Sequence, residues 1–519
     1  MLQIKNLTIT HRKDLRIILE DFNLTLNDGD KAVIIGEEGN GKSTLMKWIY
    51  NPELAEEYTE CIGACIIGNE VLSYLPQELP EEDKNKTLYE YFSESEHFLN
   101  NTPRELSELA GRFNMSSSVF YSDQVMASLS GGEKVKAQLM RILINKPTVL
   151  LLDEPSNDID ISTLELLEKF INEWDRIILF ISHDETLIEN TANVIIHLEQ
   201  IIRKTKSRYT VARDNYRHYI ERRAEAFERQ EQQALSDKRE KELRDEKYRK
   251  ILQKVDKSQL SIRNAGKDLA DKMQAGRNLK DKMHTVKSMG RRFAKEDENM
   301  TEMPEQEEAI FFKLGGDTAK MPAGKTVIEY SLDELITPDG IKVLARDIFL
   351  RVRGPEKICI VGTNGIGKTT LLRKIADELL SRKDIKAQYM PQNYEDLLDL
   401  DVTPVEFLDD TGDKEIRTKI RTYLGSLKYT ADEMEHPIRE LSGGQKAKVL
   451  LLKMSLSDAN VLILDEPTRN FSPLSGPVIR RMISEFPGAV ISISHDRKYI
   501  DEVCDKVYTL SESGLKGKL

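Results

Sequence analysis

The chain of 519 residues carries a formal net charge of −12, with 39% apolar and 32% charged residues and only four cysteines. At about 150 residues per domain this length allows three or four domains. No apolar run approaches the roughly 20 residues of a membrane-spanning helix, and the longest candidates, such as Ile177-Ile-Leu-Phe-Ile, have strand length. Cys61 and Cys65 have no second pair to complete a metal site. Met1-Leu-Gln-Ile-Lys-Asn-Leu alternates like an edge strand and lacks the features of a signal peptide, so a reduced, cytoplasmic protein is expected.

Taken in order, Lys31-Ala-Val-Ile-Ile reads as a strand that runs into Gly36-Glu-Glu-Gly-Asn-Gly-Lys-Ser-Thr and then into the helical Leu45-Met-Lys-Trp-Ile-Tyr. Strand, glycine loop and helix are the context that turns G-x-x-x-x-G-K-[ST] into a phosphate site. Gly39 and Gly41 let backbone amides close around phosphates, Lys42 reaches the outer ones, Ser43 ligates magnesium, and the helix N-terminus adds a favourable field. Gly36, Asn40 and Thr44 complete the expected ATP-binding loop. Ser73-Tyr-Leu-Pro-Gln ends at Gln77, whose amide oxygen is a candidate for magnesium and the attacking water. Leu129-Ser-Gly-Gly-Glu opens an amphipathic helix, so Ser130, Gly131 and Gly132 form a second phosphate-binding device at a helix start. Beside a phosphate loop, that device makes sense only if it serves another module's nucleotide. Val149-Leu-Leu-Leu-Asp-Glu-Pro sets Asp153, for the magnesium shell, and Glu154, to polarise water, at the end of a buried strand. Ile181-Ser-His places His183 at the end of the next strand, able to touch a terminal phosphate.

From Asp214 to Glu298 there is no proline, and the stretch begins as a run of helix formers, Tyr216-Arg-His-Tyr-Ile-Glu-Arg-Arg-Ala-Glu-Ala-Phe. A continuous helix to about Lys254 is expected. It would extend on the order of 60 Å at about 1.5 Å per residue, far more than joining two compact domains requires, so it reads as a projecting arm. Acids and bases roughly alternate up to Glu246, but from Lys247 to Lys295 fifteen bases stand against four acids, a net +11 that leaves −23 on the remainder. Such focusing points to a polyanion at the far end rather than to a solubilising face. Gly266 and Gly276 bracket the expected reversal, after which a second helix returns through Leu279-Lys-Asp-Lys-Met-His-Thr-Val. Leu260, Ile262, Leu269 and Met273 near the turn either pack the two helices together or are exposed for contact.

Beyond the arm the series repeats. Ile358-Cys-Ile-Val leads into Gly362-Thr-Asn-Gly-Ile-Gly-Lys-Thr-Thr, giving Gly362, Asn364, Gly365, Gly367, Lys368, Thr369 and Thr370 as a second ATP-binding loop with Thr369 at the magnesium position. Gln388-Tyr-Met-Pro-Gln ends at Gln392, Leu441-Ser-Gly-Gly-Gln supplies Ser442, Gly443 and Gly444, and Asp465, Glu466 and His495 follow. A lone strand-end histidine is more often a structural hydrogen bonder, but from Ser130 to Ser442, Asp153 to Asp465 and His183 to His495 the offset is 312 residues each time. That constancy establishes an internal duplication. The expected fold class is α/β: two tandem P-loop NTPase domains, at 1–210 and 306–519, joined over 211–305 by a long α-helical hairpin linker with a basic tip near 252–280.

Phosphate loop, glutamine, Leu-Ser-Gly-Gly, Asp-Glu and histidine, in that order over about 1–205 and 325–512, resemble the ATP-binding cassette superfamily. The resemblance implies a monomer whose two modules face each other head to tail, with two ATP molecules and Mg2+ between them. One site would join Lys42, Ser43, Gln77, Asp153, Glu154 and His183 to Ser442 and Gly444. The other would join Lys368, Thr369, Gln392, Asp465, Glu466 and His495 to Ser130 and Gly132. His11 is a candidate to stack on adenine in the first copy, and the second offers none. One departure stands out: Asp153-Glu-Pro-Ser-Asn-Asp-Ile-Asp160 ends in an aspartate that in cassettes helps couple the two sites, and the second copy has Ser472 there, so inequivalent sites are expected.

Two cassettes, no membrane segment and a basic helical hairpin look like the ABC-F proteins, which act on the ribosome. Tyr209-Thr-Val-Ala-Arg-Asp-Asn-Tyr resembles the tyrosine-rich entry of that family's linker, and Glu466-Pro-Thr-Arg-Asn-Phe-Ser looks like its antibiotic-resistance members from Gram-positive bacteria. The similar spacings from Gln77 to Leu129 and from Gln392 to Leu441 leave no room for an extra arm in the first module, and no long C-terminal extension is expected. The resemblance implies an ATP hydrolase that binds the 70S ribosome. Its linker would enter toward 23S rRNA, with tRNA in the P site, and protect against lincosamides, pleuromutilins and streptogramin A. Lys254, Lys257, Gln259, Leu260, Ile262, Arg263, Lys267, Lys272 and Arg277 are the candidate rRNA contacts. The alternatives are a housekeeping ABC-F translation factor, a membrane transporter's ATPase subunit, for which a long basic linker has no use, and a DNA-organising ATPase, which would carry far longer coiled coils or zinc-binding cysteines.

Overall fold

The computed structural model describes residues 1–201, 204–264, 269–298, 300–304, 314–315, 319–337, 340–409 and 411–518, without the arm side chains at 258–264, 269–279, 281 and 298. The chain divides into one unit formed by 1–216 with 307–519, and a second formed by 217–306.

The first unit contains two copies of one sheet architecture. In the first module the strands lie in the order Leu72–Leu75, Val149–Asp153, Ile177–Ile181, Lys31–Ile35, Val194–Ile201 and Lys206–Ala212, the first five parallel and the last antiparallel. In the second the order is Ala387–Met390, Val461–Asp465, Ala489–Ile493, Lys357–Val361, Lys506–Ser511 and Gly514–Lys518, again with only the last antiparallel. Val149–Asp153 and Ile177–Ile181 are buried at every residue, as parallel strands covered on both faces must be. Because the phosphate-loop strand lies beside the histidine strand, and that beside the Asp-Glu strand, all three deliver their polar residues to one edge of the sheet.

The modules differ outside these sheets. In the first, Leu2–His11 pairs with Ile17–Leu26 on one side and Thr59–Ile66 on the other; in the second, Thr326–Ile336 pairs with Val343–Arg353 alone among the described residues. Leu45, Met46, Trp48 and Ile49 of the helix Lys42–Tyr50 fill the space between the two sheets of the first module, against Ile4, Phe22, Leu151 and Leu179. Each such buried side chain stabilises the fold by about 1.5–3 kcal/mol. Cys65, on Thr59–Ile66, packs against this core, and burial pushes its thiol up to about 11, which suits a packing residue rather than a thiolate ligand.

Between the modules of this unit, the Arg480 guanidinium donates to Oε1 and Oε2 of Glu185 at 2.6 and 3.3 Å, and both side chains are buried. Lys498 reaches Glu185 and Glu189 at 3.1 and 2.6 Å, and Arg497 reaches Glu168 at 2.9 Å.

The second unit is the arm. One helix runs from Tyr216 to Asn264 and another from Leu269 to Glu298. The first is longer than expected because nothing between Lys254 and Asn264 breaks it, and at 49 residues it spans about 70 Å. Gly276 does not bound the reversal, for it lies inside the second helix, where one glycine costs about 1 kcal/mol against alanine; Gly266 falls outside the described residues. The helices are antiparallel. Lys241 and Arg244 reach Asp297, Tyr248 meets Phe293 edge to face at 5.6 Å, and the Tyr248 hydroxyl donates to Val286 O at 3.3 Å. Gly290 makes room for this, since a Cβ there would stand 2.9 Å from that hydroxyl.

Candidate functional site

The first phosphate loop is shaped by its glycines. Gly36, Gly39 and Gly41 have φ of 142°, 79° and 86°, and a Cβ on Gly41 would lie 2.2 Å from the Ile18 side chain. Lys42 Nζ donates to Gly36 O and Glu37 O at 2.8 and 3.0 Å, while Asn40 Nδ2 ties the loop to Leu198 O at 2.9 Å. Thr44 takes the Tyr58 hydroxyl at 3.5 Å. Ser43 Oγ and the Tyr74 hydroxyl each donate to Asp153 at 3.1 Å. Burial, with Glu154 alongside, pushes the Asp153 carboxyl up to about 6.

Glu154 is held on three sides. Gln77 Nε2 lies 3.0 Å from one oxygen, which Asn157 Nδ2 also reaches, and His183 Nε2 lies 3.0 Å from the other. Burial favours the neutral acid, but the His183 charge and its hydrogen bond outweigh it and bring Glu154 down to about 2. His183 is raised in turn, burial opposing and Glu154 prevailing.

The second loop is built alike, with Gly362, Gly365 and Gly367 at φ of 155°, 79° and 100°. Lys368 Nζ donates to Gly362 O and Thr363 O at 2.8 and 3.1 Å. The chemistry around it differs. His495 Nε2 stands 3.8 Å from Glu466, whose carboxyl accepts the His495 backbone N–H at 3.2 Å. Burial and the neighbouring Asp465 push Glu466 up to about 8, and burial with the Lys368 charge takes His495 down to about 4. Burial raises Asp465 to about 6 against the lowering effect of the Thr369 hydroxyl, and among the described residues neither of its buried oxygens has a well-formed hydrogen bond.

A cavity of about 530 Å³ brings Ser130 and Gly131 of the first module to Gly365, Gly367, Lys368, Thr369, Thr370, Gln392, Asp465, Glu466 and His495 of the second. Gly132 packs instead on Thr163, 2.9 Å from where its Cβ would lie. Asp158 bridges the modules here: its carbonyl accepts Asn364 Nδ2 at 2.6 Å, and its carboxylate accepts Gln392 Nε2 at 3.3 Å and Arg469 at 2.9 Å.

Opposite the first loop stands the helix Gly443–Leu456. Ser442 caps it through a reciprocal bond with Gln445, as Ser130 does with Glu133 for Gly131–Ile144. Glu38 Oε2 accepts the Gly444 N–H at 2.6 Å, and Gly443 lies beside it. Glu37 accepts Lys448 Nζ at 2.9 Å, Ser472 Oγ at 3.1 Å and Ser475 Oγ. Although burial works against it, Lys448 and the two hydroxyls bring Glu37 down to about 2. Each phosphate loop therefore faces the Ser-Gly-Gly helix start of the other module.

The family model described as ABC transporter matches residues 19–157 and 345–469, the two segments that carry these loops. The chain belongs to the ABC transporter family. It is similar to the ABC transporter F family member 2 of Arabidopsis thaliana, 25% identical over 96% of this chain and 75% of that protein. It is also similar to the ribosome protection protein VmlR of Bacillus subtilis (strain 168), 26% identical over 100% of this chain and 89% of that one. An archaeal ribosome recycling factor, aABCE1, solved with the ribosomal stalk protein aP1, shares the fold at a TM-score of 0.60 and 17% identity, covering 99% of this chain and 90% of that one. These relatives support the F branch of the family. The two modules are thus ABC cassettes that bind ATP, and the protein is an ATP hydrolase.

Reading the cassettes from sequence missed Glu37, Glu38, Tyr74, Asn157, Asp158 and Arg469. For the first two a signal was present, because consecutive acids are out of place in a loop that cradles phosphate. His11, the adenine candidate, hydrogen-bonds Asp14 through Nδ1 at 2.7 Å. On the arm, Lys254 and Lys257 are exposed. The side chains of Gln259, Leu260, Ile262, Arg263, Lys267, Lys272 and Arg277 lie outside the described residues. Among the described residues no helix is long and apolar enough to cross a membrane.

Proposed function

We propose that this ATPase works on the 70S ribosome in the cytoplasm, placing its arm against 23S rRNA beside a P-site tRNA and protecting the peptidyl transferase centre from lincosamide, pleuromutilin and streptogramin A antibiotics. The observation that carries this reading is the charge of the arm. Lys247, Arg249, Lys250, Lys254 and Lys257 on the outgoing helix, and Lys280, Lys282, Lys287, Arg291, Arg292 and Lys295 on the returning one, are all exposed. Arg292 pairs with Glu296 and Lys250 with Glu246, each at 2.7 Å, and Asp297 takes Arg244 and Lys241, but from 247 to 295 the bases far outnumber the acids. A net positive rod of this length suits a buried polyphosphate surface, which takes it up by releasing counterions. The whole-length likeness to a protein named for ribosome protection favours the same reading.

In the cassettes, Lys42 and Lys368 with the loop amides would hold the ATP phosphates, and Ser130, Gly131, Ser442 and Gly444 would meet them from the facing cassette. Asp153, Ser43 and Gln77, and likewise Asp465, Thr369 and Gln392, offer the hard oxygens Mg2+ takes. The buried Asp465 carboxylate, without a well-formed hydrogen bond among the described residues and beside Thr369, fits that role. Among the described residues no three His, Cys, Asp or Glu converge on a point, so the ion would draw its other ligands from phosphates and water. Mg2+ would neutralise charge on the phosphates. Glu154 and Glu466 would be the bases that orient water, the charge state of Glu154 set against burial by His183 and that of Glu466 by burial beside Asp465. ATP binding would hold the cassettes together while the protein is bound, and hydrolysis would release it.

The test is drug susceptibility of a sensitive host expressing the chain, beside a variant with 259–267 replaced by a short Gly-Ser turn. Protection by the parent and its loss in the variant, with ribosome-stimulated ATPase retained, supports the reading. No protection by the parent, with ribosome binding intact, would favour a housekeeping translation role.

A further inference from the structure

The two phosphate loops differ directly after their first glycine, Glu37-Glu38 standing where the second has Thr363-Asn364. Glu37, Glu38 and Asn364 each contact the opposite cassette, and the acids stand on opposite sides of the two sites. At the second site the acid belongs to the facing cassette, whose Asp158 accepts Gln392 and Arg469 while its carbonyl takes Asn364. At the first site the acids belong to the phosphate loop, and the facing cassette offers Ser472 where the first cassette has Asp160. Ser472 Oγ is 3.1 Å from Glu37 Oε1, so an aspartate at 472 would set two like charges at hydrogen-bond distance. The unusual residues at 37 and 472 are one compensated feature.

Glu38 reaches further. Its carboxylate accepts the N–H of Gly444, the second residue of the helix Gly443–Leu456, at 2.6 Å, and it lies 3.5 Å from the Cβ position of Gly443. A helix start favours an anion at that point. The proposed function gives the same amide to a nucleotide phosphate, and one N–H cannot serve both acceptors.

We propose that Glu38 is an internal competitor for nucleotide at the first site: its carboxylate holds Gly444 until a nucleoside triphosphate displaces it and brings a phosphate oxygen to the same N–H. Glu37, clamped by Lys448, Ser472 and Ser475, keeps the loop docked on the facing cassette. A nucleoside diphosphate lacks the outermost phosphate and leaves Glu38 in place, so the cost of displacement falls on the triphosphate alone and the first site prefers triphosphate over diphosphate less sharply than the second. This rests on the pairing of loops and helix starts in the proposed function.

The experiment is calorimetric titration of ATP and of ADP, with Mg2+, into the full chain carrying Glu154→Gln and Glu466→Gln, so that ATP is not consumed. Two ATP affinities about 10-fold or more apart are expected, the scale of one charge-assisted hydrogen bond. Lys42→Ala should remove the weaker class. Glu38→Asn, the residue of the second loop, and Glu38→Gln, which keeps the shape, should each tighten that class by about 10-fold without changing ADP affinity. If Lys42→Ala removes a class whose affinity neither Glu38 variant alters, or if the parent binds two ATP equally, competition by Glu38 is overturned while the site pairing stands. If neither Lys42→Ala nor Lys368→Ala affects binding, the pairing falls and the inference with it.

Discussion

His183 Nε2 stands 3.0 Å from Glu154 Oε1, with Glu154 buried and Gln77 and Asn157 on its other oxygen. The corresponding His495 and Glu466 are 3.8 Å apart, and burial keeps both on the neutral side, Glu466 near 8 and His495 near 4. Equivalent residues of two cassettes are therefore in different charge states, and turnover should show it. In Glu466→Gln only the first site retains its base, and since His183, against burial, brings Glu154 down to about 2, that base is already ionised at about pH 6 and its titration gives the residual ATPase no climb toward about pH 8. In Glu154→Gln the residual activity depends on a carboxyl that deprotonates only as pH approaches 8, so it should climb across the same range. Initial rates of the two single variants against pH decide this, and superimposable profiles would contradict it.

The same carboxyl leaves a mark on stability. Glu466 is raised from 4.5 to about 8, so the folded protein holds a proton that the unfolded chain has released, and stability falls as pH rises through that window. His495, lowered from 6.5 to about 4, acts in the opposite sense but only below about 6.5. Above pH 6.5 the stabilisation from His183, raised above its ordinary value against burial by Glu154, is also lost as pH rises, but it is common to the parent and Glu466→Gln and cancels in their comparison. The melting temperature of nucleotide-free parent should drop relative to Glu466→Gln between pH 6.5 and 8, with the gap widening as pH increases.

Arg480 and Glu185 form a buried ion pair across the cassettes. Arg480→Ala leaves Glu185 buried with Lys498 as its remaining cation and should cost roughly 3–5 kcal/mol in denaturant unfolding. The double replacement Arg480→Met with Glu185→Leu should recover much of that loss, because it removes both desolvated charges together.

Salt dependence reports on the arm. Lys254, Lys257, Lys280 and Lys282 are exposed on the two helices, and each phosphate that a lysine no longer neutralises reduces the slope of log affinity against log salt by roughly 0.7–0.9. Changing all four to Ala should flatten the slope of ribosome binding by about 3, while ATPase without ribosomes stays at the parental level.

Much of the cassette was legible because its chemistry is local. Lys42, Ser43, Asp153 and His183 follow short aliphatic strands whose buried parallel packing brings their ends together, so strand order alone assembles the site. What escaped depends on the facing surface. Nothing near Asp158 in sequence says that it meets Arg469 and Asn364, more than two hundred residues away. Glu37 and Glu38 escaped too, because their partners Lys448, Ser472 and Gly444 lie more than four hundred residues away on the facing cassette. On the arm, the outgoing helix was legible to about Lys254 from its lack of breakers, and it runs ten residues further, to Asn264. Gly276 misled because a single glycine is too weak to end a helix whose neighbours all favour one.

The central claim, ATP-controlled attachment to the ribosome, is tested most directly by cosedimentation. Full chain carrying Glu154→Gln and Glu466→Gln is pelleted with 70S ribosomes through a sucrose cushion, with ATP and without. Near-stoichiometric recovery of this variant with ribosomes in ATP is expected, with little recovery without nucleotide and only transient binding by the parent in ATP. Equal recovery of variant and parent, with or without ATP, would contradict it.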